Sequence, residues 1–213
     1  MKEIETNRLL LRQFAMSDLD KLSPIFGDPE VVRYLGSGKP AKREETEHAL
    51  CTIIKHWERH GFGRWAVMFK GTRELIGYGG LRCFHGTPEL VYLLAKPYWG
   101  IGLATEIATT SLKYGFDEQR FERIIAMASL GNTASHRVMK KVGMSFEKND
   151  YIYGMEIVHY SISSAAYVSR RSNQHQGHQE YAGHPESGAN KFLSRPPTLP
   201  APSPSEYEAK IVA

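Results

Sequence analysis

Glu89-Leu90-Val91-Tyr92-Leu93-Leu94-Ala95-Lys96-Pro97-Tyr98-Trp99-Gly100-Ile101-Gly102-Leu103-Ala104-Thr105-Glu106 passes from an extended apolar run, through two glycines one residue apart, into a segment with Ala104, Ala108, Leu112 and Phe116 at four-residue spacing. The pattern predicts a strand, a tight loop and a helix N-terminus. Glycines at such a junction let the backbone come close to a ligand. The first N–H groups of a helix have no partner inside it and lie at the positive end of its dipole, so an anion such as a phosphate is the preferred ligand. The segment therefore reads as a pyrophosphate-binding turn.

Spacing separates the motifs that could produce this turn. A dinucleotide fingerprint needs Gly or Ala three residues after the second glycine, where Thr105 stands, and a Walker loop needs a Gly-Lys-Ser/Thr ending, which is absent. The segment resembles instead the acyl-coenzyme A loop of the GNAT N-acetyltransferase superfamily, in the W-G-x-G-x-A-T-E form of its ribosomal-protein N-terminal (RimJ/RimL-like) branch. Two further segments match in the family's order. Glu5-Thr6-Asn7-Arg8-Leu9-Leu10-Leu11-Arg12, followed by Asp18, is similar to the branch's first strand and entry into its first helix. Asn132-Thr133-Ala134-Ser135, with Val138, Lys141, Gly143 and Met144, is similar to its N-x-A-S…K-x-G-[FM] segment. The resemblance covers residues 3 to 168 and implies an α/β fold, a mixed, mostly antiparallel twisted central sheet flanked by helices.

Composition fits one such domain with an appendage. Of 213 residues, 41% are hydrophobic, enough for a core. No apolar run reaches 18 residues, and Met1-Lys2-Glu3-Ile4-Glu5 lacks the apolar centre of a signal peptide, so a soluble, cytoplasmic protein without membrane partners is expected. Cys51 and Cys83 form no C-x-x-C pair and read as reduced thiols; no metal site is expected. The formal net charge of +4 is too small for a nucleic-acid signature.

The elements expected around the turn are a strand at Leu9–Arg12, a short helix opened by an S-x-x-D capping box at Ser17-Asp18-Leu19-Asp20, and a second start at Asp28-Pro29. An amphipathic helix follows from Arg43 to His60 with Leu50, Ile53, Ile54 and Trp57 on one face; its His48 and His56 read as solvated or boundary residues. A hairpin over residues 65–69 and 75–81 leads to a strand from Glu89 to Ala95 after His85-Gly86-Thr87-Pro88. Beyond the loop's helix come a strand at 124–128, a helix at 134–142 and two strands near 146–151 and 155–162. From residue 169 to 213 the chain turns to Gln, His, Ser, Gly and Pro, with six prolines after residue 180, and a disordered tail is expected there, outside the 1–168 domain.

For the chemistry, the resemblance implies acetyl-coenzyme A as acetyl donor, held mostly by backbone. Leu94 and Ala95 at the strand end hydrogen-bond the pantetheine arm. N–H groups of Trp99, Gly100, Ile101, Gly102, Leu103, Ala104 and Thr105 cradle the pyrophosphate, and Asn132 meets the pantetheine or the acetyl carbonyl. Pro97 and Ile101 replace residues that are often Gln, Arg or Lys in the superfamily, which shifts phosphate affinity onto Arg137 or Lys140. Acetyl transfer needs a base for the ammonium acceptor and an acid for the departing thiolate. Glu89, opening the strand toward the thioester, matches the family's carboxylate position and is the expected base, acting through water. The superfamily's tyrosine acid is replaced by Met139, which cannot donate a proton; Ser135 is the branch's substitute. A backbone N–H near Leu94 or Ala95 would meet the developing oxyanion, and Thr105 and Glu106 are structural. The function implied is acetyl transfer to a primary amine, a protein N-terminus or a small molecule, by direct attack in a ternary complex of a monomer or homodimer. A coenzyme-binding sensor or scaffold without turnover is the alternative that Met139 and Pro97 keep open; a third reading rests on the Pro-x-Pro elements between Pro196 and Pro204.

Overall fold

Side chains along the strands alternate between two cores. In β3 (Arg64–Phe69), Trp65 and Val67 join one cluster and Ala66 the other; in β5 (Thr87–Leu94), Leu90 and Leu94 join the first and Leu93 the second. The two-residue period of a strand makes this alternation, and apolar residues on both faces require helices on both sides. The computed structural model describes residues 3–152 and 154–176.

Eight strands form one sheet, in the spatial order β1 (Ile4–Glu5), β2 (Leu9–Arg12), β3, β4 (Glu74–Phe84), β5, β6 (Arg123–Ser129), β8 (Met155–Ser163), β7 (Ser145–Ile152). Every neighbouring pair is antiparallel except β5 and β6, which run parallel and pair at one register position, Glu89 opposite Ile125. One face carries α1 (Leu19–Phe26) and α3 (Arg43–His60), through Leu22, Phe26, Leu50 and Ile53. The short α2 (Pro29–Val32) lies between them in sequence. The other face carries α4 (Leu103–Lys113), α5 (Thr133–Lys141) and α6 (Ser164–Gln176), through Ile107, Leu112, Met139 and Tyr167. Helix α4 lies close on β4 because Gly79 has no side chain: a Cβ there would stand 2.1 Å from Ile107 Cγ2.

The expected mixed, mostly antiparallel sheet is the one observed, and α3 begins and ends at the expected residues. Several local expectations are corrected. Ser17 is not the cap of α1; Asp18 accepts from the Ala15 N–H at 2.9 Å and from both terminal nitrogens of Arg12 at 2.8 and 2.7 Å, closing a 3-10 turn over Met16–Asp18. Asp28 does cap as expected, accepting from the Glu30 N–H at 2.9 Å. Strand β5 starts at Thr87, so Glu89 lies inside it; His85 and Gly86, both at positive φ, make a two-residue hairpin turn that closes Phe84 against Thr87. The expected domain end at 168 falls in the middle of α6, whose Arg171 pairs with Asp117 at 2.8 Å and whose Tyr167 stacks on Phe116 at 4.7 Å. The rest of the expected tail, 177–213, lies outside the described residues.

Candidate active site

Parallel β5 and β6 share one ladder position, Glu89 opposite Ile125, and the site develops where they part. A cavity of about 590 Å³ opens there, lined by Glu89 to Tyr92 of β5, Ala126 to Ala128 of β6, Asn132 and Ser135 at the start of α5 and Met139 further along it, together with Tyr34 and the end of α3. Ladder geometry explains what β5 offers this gap. The Ala95 N–H donates to the Ile76 carbonyl at 2.8 Å, so in the antiparallel alternation the polar backbone groups of Tyr92 and Leu94 turn away from β4, toward the opening.

That same geometry revises two backbone assignments. Ala95 has already given its N–H to the sheet and cannot stabilise an oxyanion, which leaves the Leu94 N–H facing the gap. The Leu94 carbonyl accepts from the Trp99 indole N–H at 2.6 Å, a bond that folds the loop back on the strand end. The Trp99 backbone N–H donates to the Lys96 carbonyl at 3.1 Å, so Trp99 leaves the expected cradle. What remains is the stretch Gly100 to Thr105. Gly100 and Gly102 have φ of 75° and 85°, left-handed values that a side chain disfavours, and they swing the chain into the first turn of α4. The N–H groups of Leu103, Ala104 and Thr105 precede the first helical hydrogen bond, from the Glu106 N–H to the Gly102 carbonyl, and are open to an anion.

Glu106 and Arg8 hold this turn in place. The Glu106 carboxylate accepts from Thr6 Oγ1 at 2.6 Å, from the Arg8 N–H at 3.0 Å and from Arg8 Nε at 2.8 Å; Arg8 Nη1 in turn donates to the Ile101 carbonyl at 2.7 Å. Burial works against the Glu106 charge, but these donors hold its carboxyl below the usual range. Arg8 thus brings a guanidinium beside Gly102, a cation at the glycine turn where the sequence pointed to Arg137 or Lys140. Arg137 lies exposed on α5.

At the other end of the cavity Glu89 is 3% exposed, which removes its reading as a solvated strand-end residue. Arg82 Nε donates to Glu89 Oε2 at 2.6 Å. Burial opposes the charge on Arg82, and the neighbouring carboxylate more than offsets it, so the guanidinium is held above its ordinary value. Glu89 Oε1 has no donor among the described residues and is the oxygen left for a water or an amine. Arg82 was not foreseen, although the signal was present: a two-residue turn at His85-Gly86 sets Arg82 directly opposite Glu89.

Asn132 caps α5, its Oδ1 accepting from the Ser135 N–H at 3.1 Å, so only its amide NH₂ is free to donate into the cavity. Ser135 lines the cavity in the first turn of that helix. Tyr92, also unforeseen, donates its hydroxyl to the Ser135 carbonyl at 3.2 Å; burial pushes the phenol up to about 12, so it stays protonated. No three His, Cys, Asp or Glu side chains converge as a metal site among the described residues.

Residues 8–145 match the family model described as Acetyltransferase (GNAT) domain. The chain belongs to the GNAT acetyltransferase family. Among relatives of this acetyltransferase, the uncharacterized N-acetyltransferase YoaA of Bacillus subtilis is 30% identical over 147 residues, covering 68% of this chain and 83% of YoaA. The crystal structure of a GNAT-family acetyltransferase from Bacillus anthracis superposes with a TM-score of 0.68 at 27% identity, over 77% of this chain and 99% of that one. RimL, a ribosomal L7/L12 α-N-protein acetyltransferase solved in complex with coenzyme A, shares the fold at 16% identity and a TM-score of 0.66, over 76% and 98% of the two chains. The expected family and fold are thereby shown, and the acetyltransferase is an enzyme of acetyl transfer.

Proposed function

We propose that this acetyltransferase moves the acetyl group of acetyl-coenzyme A onto a primary amine by direct attack, with Glu89 as general base. The observation that carries the reading is the placement of a buried carboxylate with one unsatisfied oxygen at the point where β5 and β6 part, in the same cavity as the first turn of α5. The residues present fit the coenzyme. The Leu103, Ala104 and Thr105 N–H groups with Arg8 suit a pyrophosphate, and the backbone of Tyr92 and Leu94 along the gap suits the amides of a pantetheine arm. Acetyl-coenzyme A brings the activated acyl group and its thiol leaving group.

The chain's own residues then handle two protons. Glu89 Oε1 takes the proton of the acceptor ammonium, directly or through one water, and frees the lone pair that forms the new N–C bond. The C–S bond breaks as the Ser135 hydroxyl, assigned to protonate the thiolate, gives up its proton and takes in its place the second proton, which the nitrogen sheds as it becomes an amide. The Leu94 N–H and the Asn132 amide are the donors facing the carbonyl oxygen as charge develops on it. Tyr92 gives a second reading of the acid, because its protonated hydroxyl lies at the edge of the same helix turn. Glu89→Gln is expected to lower kcat by about 10² to 10⁴ while the affinity for acetyl-coenzyme A stays within a few-fold, measured by release of free coenzyme A and by calorimetry. Full kcat in Glu89→Gln would return Glu89 to a structural role as the partner of Arg82. Ser135→Ala and Tyr92→Phe, compared in the same assay, separate the two acids: only loss of the true donor lowers kcat without touching coenzyme affinity.

A further inference from the structure

The charges around the acceptor end of the cavity are one-sided. Among the described residues its lining contains a single carboxylate, Glu89, and that group is already bonded to Arg82. Arg59, at the end of α3, faces the same space and has no carboxylate within ion-pair distance among the described residues. His60 and His85 complete the polar rim, and the rest of the mouth is aliphatic or aromatic, with Leu35, Ile152 and Ile157. Other groups register the same positive field: His56, one turn before His60, is pushed down to about 4, by burial first and then by His60, Arg64 and Arg82.

This distribution sorts amines by what else they carry. The ammonium to be acetylated is met by Glu89. A second positive charge on the same molecule would face Arg59 and Arg82 with no carboxylate to receive it, in a cleft whose low-dielectric walls strengthen the repulsion. A negative group on the same molecule would instead meet Arg59, whose planar fork of donors matches a carboxylate or phosphate. Building on the acetyl-transfer reading above, we infer that the acceptor is a small amine that carries its own anionic group, held by Arg59, rather than a polyamine or an aminoglycoside.

The test follows coenzyme A release by the full chain with acceptors matched in length and different in their far end. Suitable sets are 4-aminobutyrate, its amide and 1,4-diaminobutane, and phosphoethanolamine with ethanolamine. Spermidine, tobramycin and peptides with acidic, neutral or basic second residues run beside them. Anionic members are expected to exceed dicationic ones in kcat/KM by about tenfold or more, the 1.4 kcal/mol of a single partly screened charge contact. Rising salt should shrink the gap by raising KM for the anionic members. Arg59→Gln should narrow it and Arg59→Glu reverse it, chiefly through KM of the charged members. Equal use of all three charge types, or preference for the polycations, overturns the inference and leaves the acetyl-transfer reading intact. A strong preference for peptides regardless of charge also overturns it. Turnover of no amine at all, with coenzyme A still bound, overturns the parent reading and this one with it.

Discussion

Gly102 shows how one residue can set the course of a loop without any side chain. Its φ of 85° turns the chain into α4, and a Cβ built there meets only Arg8 Nη2, at 3.5 Å, so the space around it is open and the constraint is the dihedral itself. A β-branched residue is strained at that φ by about 1 to 3 kcal/mol, which the loop relieves by rotating Leu103 to Thr105 off the line that the helix start imposes. Gly102→Val should therefore weaken coenzyme A binding by about tenfold or more, each 1.4 kcal/mol being a factor of ten. The thermal midpoint should fall little, since the turn is exposed. Calorimetry with coenzyme A decides it, and unaltered affinity would show that the first turn of α4 is not where the phosphates sit. Glu89 and Arg82 illustrate the opposite case, in which the side chains matter and the sequence carried the pairing only indirectly. Seven residues separate them, and their contact was legible only to a reading that placed the hairpin turn at His85-Gly86; starting the strand at Glu89 hid the register.

Among the elements, α3 and β4 are pinned together by a histidine that the sequence presented as a solvated or boundary residue. His56 Nδ1 donates to the Phe62 carbonyl at 2.9 Å, and its Nε2 accepts from the Cys83 N–H at 2.9 Å. Burial is the main penalty on the charged ring, and the positive charges of His60, Arg64 and Arg82 add to it, so the ring is pushed down to about 4 from its ordinary 6.5. In the unfolded chain it binds its proton near 6.5, so between these values the unfolded state holds more protons than the folded one. Stability then rises with pH across that window; the contribution is complete above about pH 6.5 and is lost as pH falls toward 4. The melting temperature should decline over that range in the parent chain and decline less in His56→Gln, whatever the variant's absolute stability. Equal slopes would mean that His56 titrates normally. Helix α6 makes a second elemental prediction. Ending the chain after Ser163 removes Tyr167 from its stack on Phe116 and Arg171 from Asp117 and should lower the melting temperature markedly, whereas ending it after Gln176 should leave it nearly unchanged, since the composition beyond that point offers no apolar periodicity. Equal midpoints for the two truncations would deny α6 any share in the core. Periodicity made α3, the central hairpin and the glycine turn legible, because those segments are long or carry an unmistakable backbone signal. α6 was passed over because Ser164 to Gln176 has only Tyr167 and Val168 as large apolar residues, and one buried tyrosine makes no pattern.

For the molecule as a whole, one pairing matters most: β5 meets β6 at Glu89 and Ile125, and beyond that point the sheet is split. Five strands lie on one side of the split and three on the other. The polar backbone along the gap has no strand to bond to, so its amides should exchange with solvent faster than their burial alone would suggest. Acetyl-coenzyme A entering the gap should slow exchange at Tyr92 and Leu94 most, and should stabilise the chain by about 2.7 kcal/mol at a hundred times its dissociation constant. Protection confined to the α4 turn, with the gap amides unchanged, would show that the ligand rests on the surface. The catalyst and the scaffold are thus not separate things. With acetyl-coenzyme A in the slot as proposed, the arriving substrate would be a temporary building part, each turnover finishing the architecture and each product release reopening it.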